Sequence, residues 1–163
     1  MSMAETLKIS SKGSGIPLVL IHGWGVNSAV WQQSVEVLKD KFEVITVDLP
    51  GFGSNVEHLL SPYTLAEVAT LVMEAVAKPA VYIGWSLGGL VACNIALKFP
   101  TQVKALVTVA SSPCFVEQES WRGIKPDVLD LFYRQLSQDT VKTINNFLKI
   151  QAMGSPHLRH DIK

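Results

Sequence analysis

A glycine-rich turn containing one serine joins an apolar run to a helical pattern near the middle of the chain. Its sequence is Gly84-Trp85-Ser86-Leu87-Gly88-Gly89, and it follows the run Ala80-Val81-Tyr82-Ile83. A strand that turns abruptly into a helix needs a strained backbone, and glycines two residues either side of the serine leave the space that a Cβ would obstruct. The pattern therefore predicts a strand–turn–helix unit that presents the Ser86 hydroxyl as a nucleophile. The alternative is a serine that only caps the following helix.

A second turn upstream has the composition expected of an oxyanion-binding loop. His22-Gly23-Trp24-Gly25 directly follows the strand-like run Pro17–Ile21. Acyl transfer to a serine needs two backbone N–H donors, one from the residue after the nucleophile and one from an early strand-to-helix loop. We expect Leu87 and Trp24 to supply them, although the second turn alone also fits an ordinary strand–helix connection. His22 is expected to support the loop rather than act as the base. Where a nucleophilic serine lies in a strand–turn–helix unit of this kind, the catalytic acid and the catalytic histidine come after the serine in the chain.

Short apolar runs alternate with helical patterns through the first two thirds of the chain. Apolar runs separated by helices are typical of a mostly parallel sheet covered by helices on both faces. Thr64 and Glu67 form a possible capping box at the start of one helix. The loop that begins at Asp48 is expected to be structural. The predicted strands are Leu7–Ser10, Pro17–Ile21, Phe42–Asp48, Ala80–Trp85 and Val103–Ala110, and the first predicted helices are Val30–Leu38, Thr64–Ala77 and Leu90–Leu97.

The alternation stops at Ser111, and two consecutive helices are predicted over Asp127–Gln138 and Asp139–Met153. We interpret residues 1–115 as the first part of an α/β core and residues 116–163 as a helical lid over Ser86. Phe147 and Gln151 are four residues apart and share a helix face. That face either lines an acyl-chain tunnel or simply packs against a neighbouring helix.

Charge and cysteine content exclude several classes of protein. The 14 basic and 14 acidic residues give a net charge of zero, which argues against nucleic-acid or membrane-surface binding. The balance differs along the chain: residues 121–163 hold seven basic and four acidic residues, so this segment is either a solvated face or a docking surface for an acidic partner. Cys93 and Cys114 have no metal-ligand spacing, so we expect reduced cysteines, no metal, no cofactor and a cytoplasmic location.

The motifs together resemble the α/β-hydrolase family. The segments that carry the resemblance are His22–Gly25, Val47–Gly53, Gly84–Ala92, Ala105–Phe115, Gly123–Leu129 and Gln151–Gly154. Within that family the chain is similar to carboxylesterases that hydrolyse the methyl ester of pimeloyl-acyl carrier protein in biotin synthesis. This resemblance implies a Ser86 nucleophile, oxyanion donors at Trp24 and Leu87, and substrate contacts at Trp24, Ser86, Leu87, Phe147, Leu148, Lys149, Ile150 and Gln151.

The same resemblance implies an acyl-carrier-protein partner and a longer chain. The family's carrier-binding arginines correspond here to Lys142, Asn146, Arg159 and Lys163, so a positive charge is kept at three positions and lost at Asn146. The family continues with further strands that carry the triad Asp and His, whereas this sequence stops at Lys163. We therefore expect a fragment that lacks those strands and self-associates or exchanges strands through an uncovered sheet edge.

Three alternative functions follow from the same residues. The first two are a broader short-chain esterase and a C–C bond hydrolase, because the same serine-containing turn serves many acyl substrates. A non-catalytic protein could instead use the hydrolase core and basic lid only to bind acyl chains or carrier protein. His157 and His160 lie after the predicted lid and are the only downstream histidines that could substitute for the base.

Overall fold

The computed structural model describes residues 6–156, which form two compact units, residues 6–113 and 114–156. The first unit contains the five strands β1 Ile9–Lys12, β2 Ile16–Ile21, β3 Phe42–Val47, β4 Ala80–Trp85 and β5 Val103–Val109. It also contains the helices α1 Gln32–Leu38, α2 Leu65–Val76 and α3 Leu87–Lys98, with 3₁₀ turns at Ser28–Trp31, Gly53–Asn55 and Pro100–Gln102. The second unit contains the helices α4 Pro126–Gln138 and α5 Thr140–Gln151.

The five strands form one sheet in the order β1-β3-β2-β4-β5. Strands β2 to β5 pair in parallel, as the apolar runs predict, whereas β1 pairs antiparallel to β3 with Ile9 opposite Val47. The first strand starts two residues later than predicted because Leu7 is buried as an anchor before the strand rather than within it. Because parallel strands end at one edge, the loops after β2, β3 and β4 meet there.

Helices α2 and α3 cover one face of the sheet. The side chains of Val68, Val72 and Val76 on α2 recur at helical spacing and pack with the sheet residues Val19, Ile21, Ile45 and Val47. Burying a side chain of this size contributes about 1.5–3 kcal/mol. This packing fixes the position of the loops at the carboxyl ends of the strands.

The amino-terminal end of α2 carries the predicted cap. The Thr64 hydroxyl accepts a hydrogen bond from the Glu67 backbone N–H at 3.2 Å and donates one to the Glu67 carboxylate at 2.9 Å. The carboxylate therefore bonds the cap hydroxyl, whereas in the usual capping box it reaches the cap backbone N–H. The first helix begins two residues later than the predicted start at Val30. Ser28–Trp31 is a 3₁₀ turn, and α1 begins at Gln32.

The sheet carries helices on both faces as predicted, since α1 packs on the face opposite α2 and α3, and strand β5 is the exception. It forms the edge of the sheet, and residues 104–109 are exposed along both faces within the part of the chain that the structure describes. Leu106, Val107 and Val109 remain 39%, 43% and 43% exposed. In addition, β5 pairs only with β4, so its outer edge has no neighbouring strand among residues 6–156.

Helices α4 and α5 form the core of the second unit. They pack through the aromatic rings of Phe132 and Phe147, whose centroids are 5.9 Å apart. Asp139 lies at the start of α5, where its carboxylate accepts a hydrogen bond from the Lys142 backbone N–H at 2.9 Å. Among residues 6–156, every helix is too short or too polar to cross a membrane.

Candidate active site

Ser86 is the single residue between strand β4 and helix α3, and its backbone conformation is strained. Its φ of 53° and ψ of −116° lie in a region that residues with a Cβ rarely adopt. Such a conformation costs on the order of 1–3 kcal/mol and persists only where the surroundings enforce it. The Ser86 side chain makes no capping hydrogen bond to α3, which argues against the alternative of a simple helix cap.

Three hydrogen bonds hold the Ser86 backbone in that conformation. Its N–H donates to the Val109 carbonyl at 2.9 Å, and its carbonyl accepts from the Gly89 N–H at 2.9 Å. The Ser111 hydroxyl also donates to the Ser86 carbonyl, at 2.7 Å. This role of Ser111 was not predicted, although Ser111 follows β5 closely and so lies at the same edge of the sheet as Ser86.

The glycines around Ser86 are required by close backbone contacts. A Cβ on Gly84 would lie 2.1 Å from the Gly88 carbonyl oxygen. A Cβ on Gly88 would lie 2.3 Å from the Ile21 carbonyl oxygen and 2.6 Å from that of His22. These short distances agree with the expectation that a Cβ at either glycine would obstruct the turn. They also show that the first turn of α3 lies directly against the end of β2.

The loop after β2 lies beside Ser86. A Cβ built on Gly23 would be 3.3 Å from the Ser86 Cβ and 3.2 Å from the Trp85 ring. Trp24 and Gly25 form the following turn, in which Gly25 has a φ of 81°. The structure therefore brings together the two segments that the sequence predicts to carry the oxyanion donors, the loop of Trp24 and the first residue of α3, Leu87. Backbone N–H groups in the first turn of a helix lack partners within the helix, so they can bind a developing negative charge.

His22 is fully buried and bonds two loops through both ring nitrogens. Its Nδ1 lies 2.7 Å from the Gly23 carbonyl oxygen, and its Nε2 accepts a hydrogen bond from the Leu49 N–H at 2.9 Å. Because a carbonyl can only accept, the ring is neutral with its proton on Nδ1. Burial lowers the pKa of His22, although the Gly23 carbonyl and the Asp48 carboxylate act in the opposite direction. Both nitrogens are occupied, so His22 is unsuited to be the general base, in line with the supporting role expected from the sequence.

We expect the neutral state of His22 to make folding pH-dependent. The unfolded chain binds a proton near the usual pKa of about 6.5, whereas the folded protein resists it to a lower pH. The free energy of unfolding should therefore be constant above about pH 6.5 and fall below it by up to about 1.4 kcal/mol per pH unit. His22→Ala should remove this dependence and lower the stability at about pH 8 by roughly 2–4 kcal/mol. Urea unfolding between about pH 8 and pH 5 measures both effects.

His58→Ala is the matched control for this measurement. His58 is half-buried in the loop before α2. We expect the His58 variant to keep the pH dependence of the unaltered protein. Equal pH dependence with and without His22 would contradict the assignment of a neutral, buried imidazole.

Asp48 organises the loop after β3 through its carboxylate. The carboxylate accepts hydrogen bonds from the Ser28 N–H at 2.6 Å, the Ser54 N–H at 2.8 Å and the Ser54 hydroxyl at 2.9 Å. Burial raises the pKa of Asp48, but the hydrogen bonds from Ser54 and Ser28 outweigh it and keep that pKa below its usual value. The carboxylate is thus committed to positioning the loops after β2 and β3, which is the structural role expected from the sequence.

Asn55 ties the same loop to the segment before β1. Its amide nitrogen donates to the carbonyls of Lys8 at 3.0 Å and Asp48 at 2.7 Å, and its amide oxygen accepts from the Lys8 N–H at 2.8 Å. Asn55 is only 4% exposed, so these bonds satisfy an otherwise costly buried amide. No local pattern indicates this contact, because Asn55 and Lys8 are 47 residues apart.

The residues predicted to bind the acyl chain all lie in the second unit. Phe147, Leu148, Lys149, Ile150 and Gln151 occupy the last turns of α5. Phe147 packs against Phe132 of α4, as the helix-packing alternative predicts, while Gln151 is exposed. Of the predicted carrier contacts, Lys142 is exposed near the start of α5. Arg159 and Lys163, like His157 and His160, lie outside the described residues.

The part of the chain that the structure describes contains no cluster of metal-ligating side chains. Within residues 6–156, no three side chains of His, Cys, Asp or Glu come together in a metal-binding arrangement. Cys93 and Cys114 do not form a disulfide bond with each other, and the Cys114 thiol donates a hydrogen bond to the Val116 carbonyl at 3.3 Å.

The strand order, the strained Ser86 and the adjoining loop define a fold shared with known hydrolases. The alpha/beta hydrolase fold family matches residues 16–160, and the chain belongs to this family. The chain is 51% identical over 161 residues to the pimeloyl-[acyl-carrier protein] methyl ester esterase of Vibrio parahaemolyticus, covering 99% of this chain and 62% of that protein. It is 50% identical over 163 residues to the protein of the same name from Vibrio cholerae, covering 100% and 62%. The chain thus spans about 62% of the length of these curated relatives.

Solved structures agree with the family assignment at the level of the fold. An esterase from Exiguobacterium antarcticum has a TM-score of 0.81 at 23% identity, over 88% of this chain and 56% of that chain. A hydrolase from Oleispira antarctica also has a TM-score of 0.81, at 21% identity, over 96% of this chain and 63% of that chain.

Proposed function

We propose that the protein containing this chain is a serine carboxylesterase that hydrolyses the methyl ester of pimeloyl-acyl carrier protein to pimeloyl-acyl carrier protein and methanol. The observation that carries the proposal is the strained Ser86 at the junction of β4 and α3, packed beside the loop of Trp24. The substrate is supported by the names of relatives that are about half identical to this chain along nearly its whole length.

The proposed reaction proceeds through an acyl-serine. The Ser86 oxygen attacks the ester carbonyl while a base removes its proton, and the backbone N–H groups of Trp24 and Leu87 stabilise the oxyanion. The proton passes to the departing methoxide, which leaves as methanol. Water then attacks the acyl-serine, giving its proton to the base, and the base returns a proton to Ser86 as the free acid leaves. His22 is unsuited to be this base because both its ring nitrogens are already bonded.

The proposed partner is an acyl carrier protein, an acidic protein that would bind the basic side of α5. Lys142 is exposed near the start of that helix, and the other predicted carrier contacts are Arg159 and Lys163, which lie outside the described residues. Lysine supplies charge attraction without the two-pronged geometry of arginine, so it contributes mainly to the rate of association. Phe147 to Gln151 are proposed to contact the acyl chain.

The exposed edge of β5 supports a further part of the proposal, that copies of the chain associate through this strand.

The proposal predicts Ser86-dependent removal of the methyl group from the carrier-bound ester. The purified protein is incubated with pimeloyl-acyl carrier protein methyl ester and, separately, with the same acyl ester on a small thiol, and both are followed by mass spectrometry. We expect faster reaction of the carrier-bound ester. Lys142→Glu should slow that reaction by about tenfold and leave the small ester unaffected, because rim charges act mainly on association.

Lys41→Glu is the control, since Lys41 is exposed on the first unit, outside the proposed carrier surface. Equal slowing by the two charge reversals would overturn the carrier-binding surface. Folded protein that binds the carrier but never demethylates it would overturn the esterase and support the non-catalytic alternative. Equally fast hydrolysis of unrelated short-chain esters would instead favour the broad esterase.

A further inference from the structure

A small apolar cavity in the first unit has no assigned role. It has a volume of about 230 Å³ and lies among the loop after β3, the start of α2 and the first turns of α3. Its aliphatic walls are formed by Leu49, Leu65, Val68, Leu87, Leu90 and Val91.

The chemistry of the cavity wall selects an apolar occupant. Tyr63 is the one residue of the wall that carries a polar side-chain atom. Its hydroxyl already donates a hydrogen bond to the Pro50 carbonyl at 3.1 Å. A ligand group with hydrogen-bonding needs would therefore lose its water partners and gain little in exchange.

A larger depression in the same unit offers a contrast. Its volume is about 460 Å³, and Lys12, Ser28, Asp48 and Ser54 contribute to its lining. The Asp48 carboxylate is occupied by Ser28 and Ser54, and the Lys12 ammonium pairs with Glu36 at 3.3 Å. The two charged groups of the lining, Asp48 and Lys12, therefore already have partners, so they do not define a ligand chemistry.

We infer that the cavity lined by Leu65, Leu87 and Leu90 is a binding site for a small hydrocarbon group, such as a short alkyl chain or a single aromatic ring. An apolar cavity of about 150 Å³ in another protein is large enough to bind benzene, so this volume suffices for such a group. Leu87 connects the cavity to the candidate active site, because its side chain forms part of the wall and its backbone directly follows Ser86. An occupant would contact the residue whose N–H is proposed to bind the oxyanion.

Binding of benzene and of 1-hexanol, followed by NMR of the leucine and valine methyl groups, tests the inference. We expect saturable shifts at the methyl groups of Leu65, Leu87 and Leu90. The methyl groups of Leu20, Val35 and Val44 form a separate buried cluster and should not shift. Because the readout is binding, its failure is distinguishable from failure of the proposed esterase activity.

Two pairs of variants locate the ligand. Leu90→Trp fills the cavity and should weaken binding at least about tenfold, whereas Leu97→Trp places the same ring on the same helix at a residue that is 81% exposed and should not weaken it. Leu65→Phe and Leu59→Phe form a second, smaller pair in case Leu90→Trp does not fold, since Leu59 is 79% exposed. Binding that survives both filling variants, or shifts spread equally over the separate cluster, would overturn the inference.

Discussion

Ser86→Ala is expected to abolish covalent labelling of the protein by a fluorophosphonate, with the rate falling at least about 10³-fold. The reagent mimics an acyl ester and needs a hydroxyl held beside oxyanion donors. We propose that setting for Ser86, whose backbone is fixed by bonds to Val109, Gly89 and Ser111 and whose Cβ would lie 3.3 Å from a Cβ built on Gly23. Intact-mass spectrometry measures the extent of labelling, and peptide mapping identifies the labelled residue.

Ser111→Ala is the informative control for this experiment. It keeps the Ser86 hydroxyl but removes the hydrogen bond from Ser111 to the Ser86 carbonyl. We expect this variant to be labelled at Ser86, more slowly than the unaltered protein. Labelling that persists in Ser86→Ala would contradict the assignment of Ser86 as nucleophile, whereas folded unaltered protein that never reacts would mean that the turn is formed but lacks its base.

Gly88→Ala is expected to destabilise the first unit by roughly 3–5 kcal/mol, a large fraction of the about 5–15 kcal/mol by which folded proteins are usually stable. The new Cβ would lie 2.3 Å from the Ile21 carbonyl oxygen and 2.6 Å from that of His22, and both belong to backbone that cannot rotate away. Relief requires α3 to move off the end of β2, which separates Leu87 from the loop of Trp24. Urea unfolding and circular dichroism measure the loss.

Gly25→Ala separates this steric effect from the general cost of replacing a glycine. Nothing lies within 4 Å of a Cβ on Gly25, but its φ of 81° strains any residue with a side chain. We expect a loss of about 1–2 kcal/mol from that strain alone. A Gly88 variant no less stable than the Gly25 variant would mean that α3 and β2 are less closely packed than the structure indicates.

Local patterns in the sequence predicted the elements that position the site. The elbow at Ser86 depends on residues within a few positions of one another, and so does the cap of Thr64 and Glu67. The parallel strands β2 to β5 were recognisable because strands buried on both faces are continuously apolar. The sequence did not indicate that β5 would be exposed on both faces, since exposure depends on which neighbours are present rather than on the strand's own residues.

The contacts that fix the site geometry were largely beyond prediction, because their partners are distant in sequence. His22 bonds Leu49 across 27 positions, and Ser111 bonds Ser86 across 25. No periodicity encodes such pairs, since they arise only when parallel strands bring separate loops to one edge of the sheet. The antiparallel direction of β1 is compatible with the predicted mostly parallel sheet, and it follows from a three-residue turn, Gly13–Gly15, rather than from strand composition.

The buried amide of Asn55 has a practical consequence for protein engineering. Because Asn55 bonds both the N–H and the carbonyl of Lys8, the segment directly before β1 is fastened to the loop that carries Asp48. An affinity tag or fusion partner can be joined ahead of this point, but its linker must leave Leu7 and Lys8 free to dock. A deletion that removes these two residues would expose the Asn55 side chain and loosen a loop more than forty positions further along the chain.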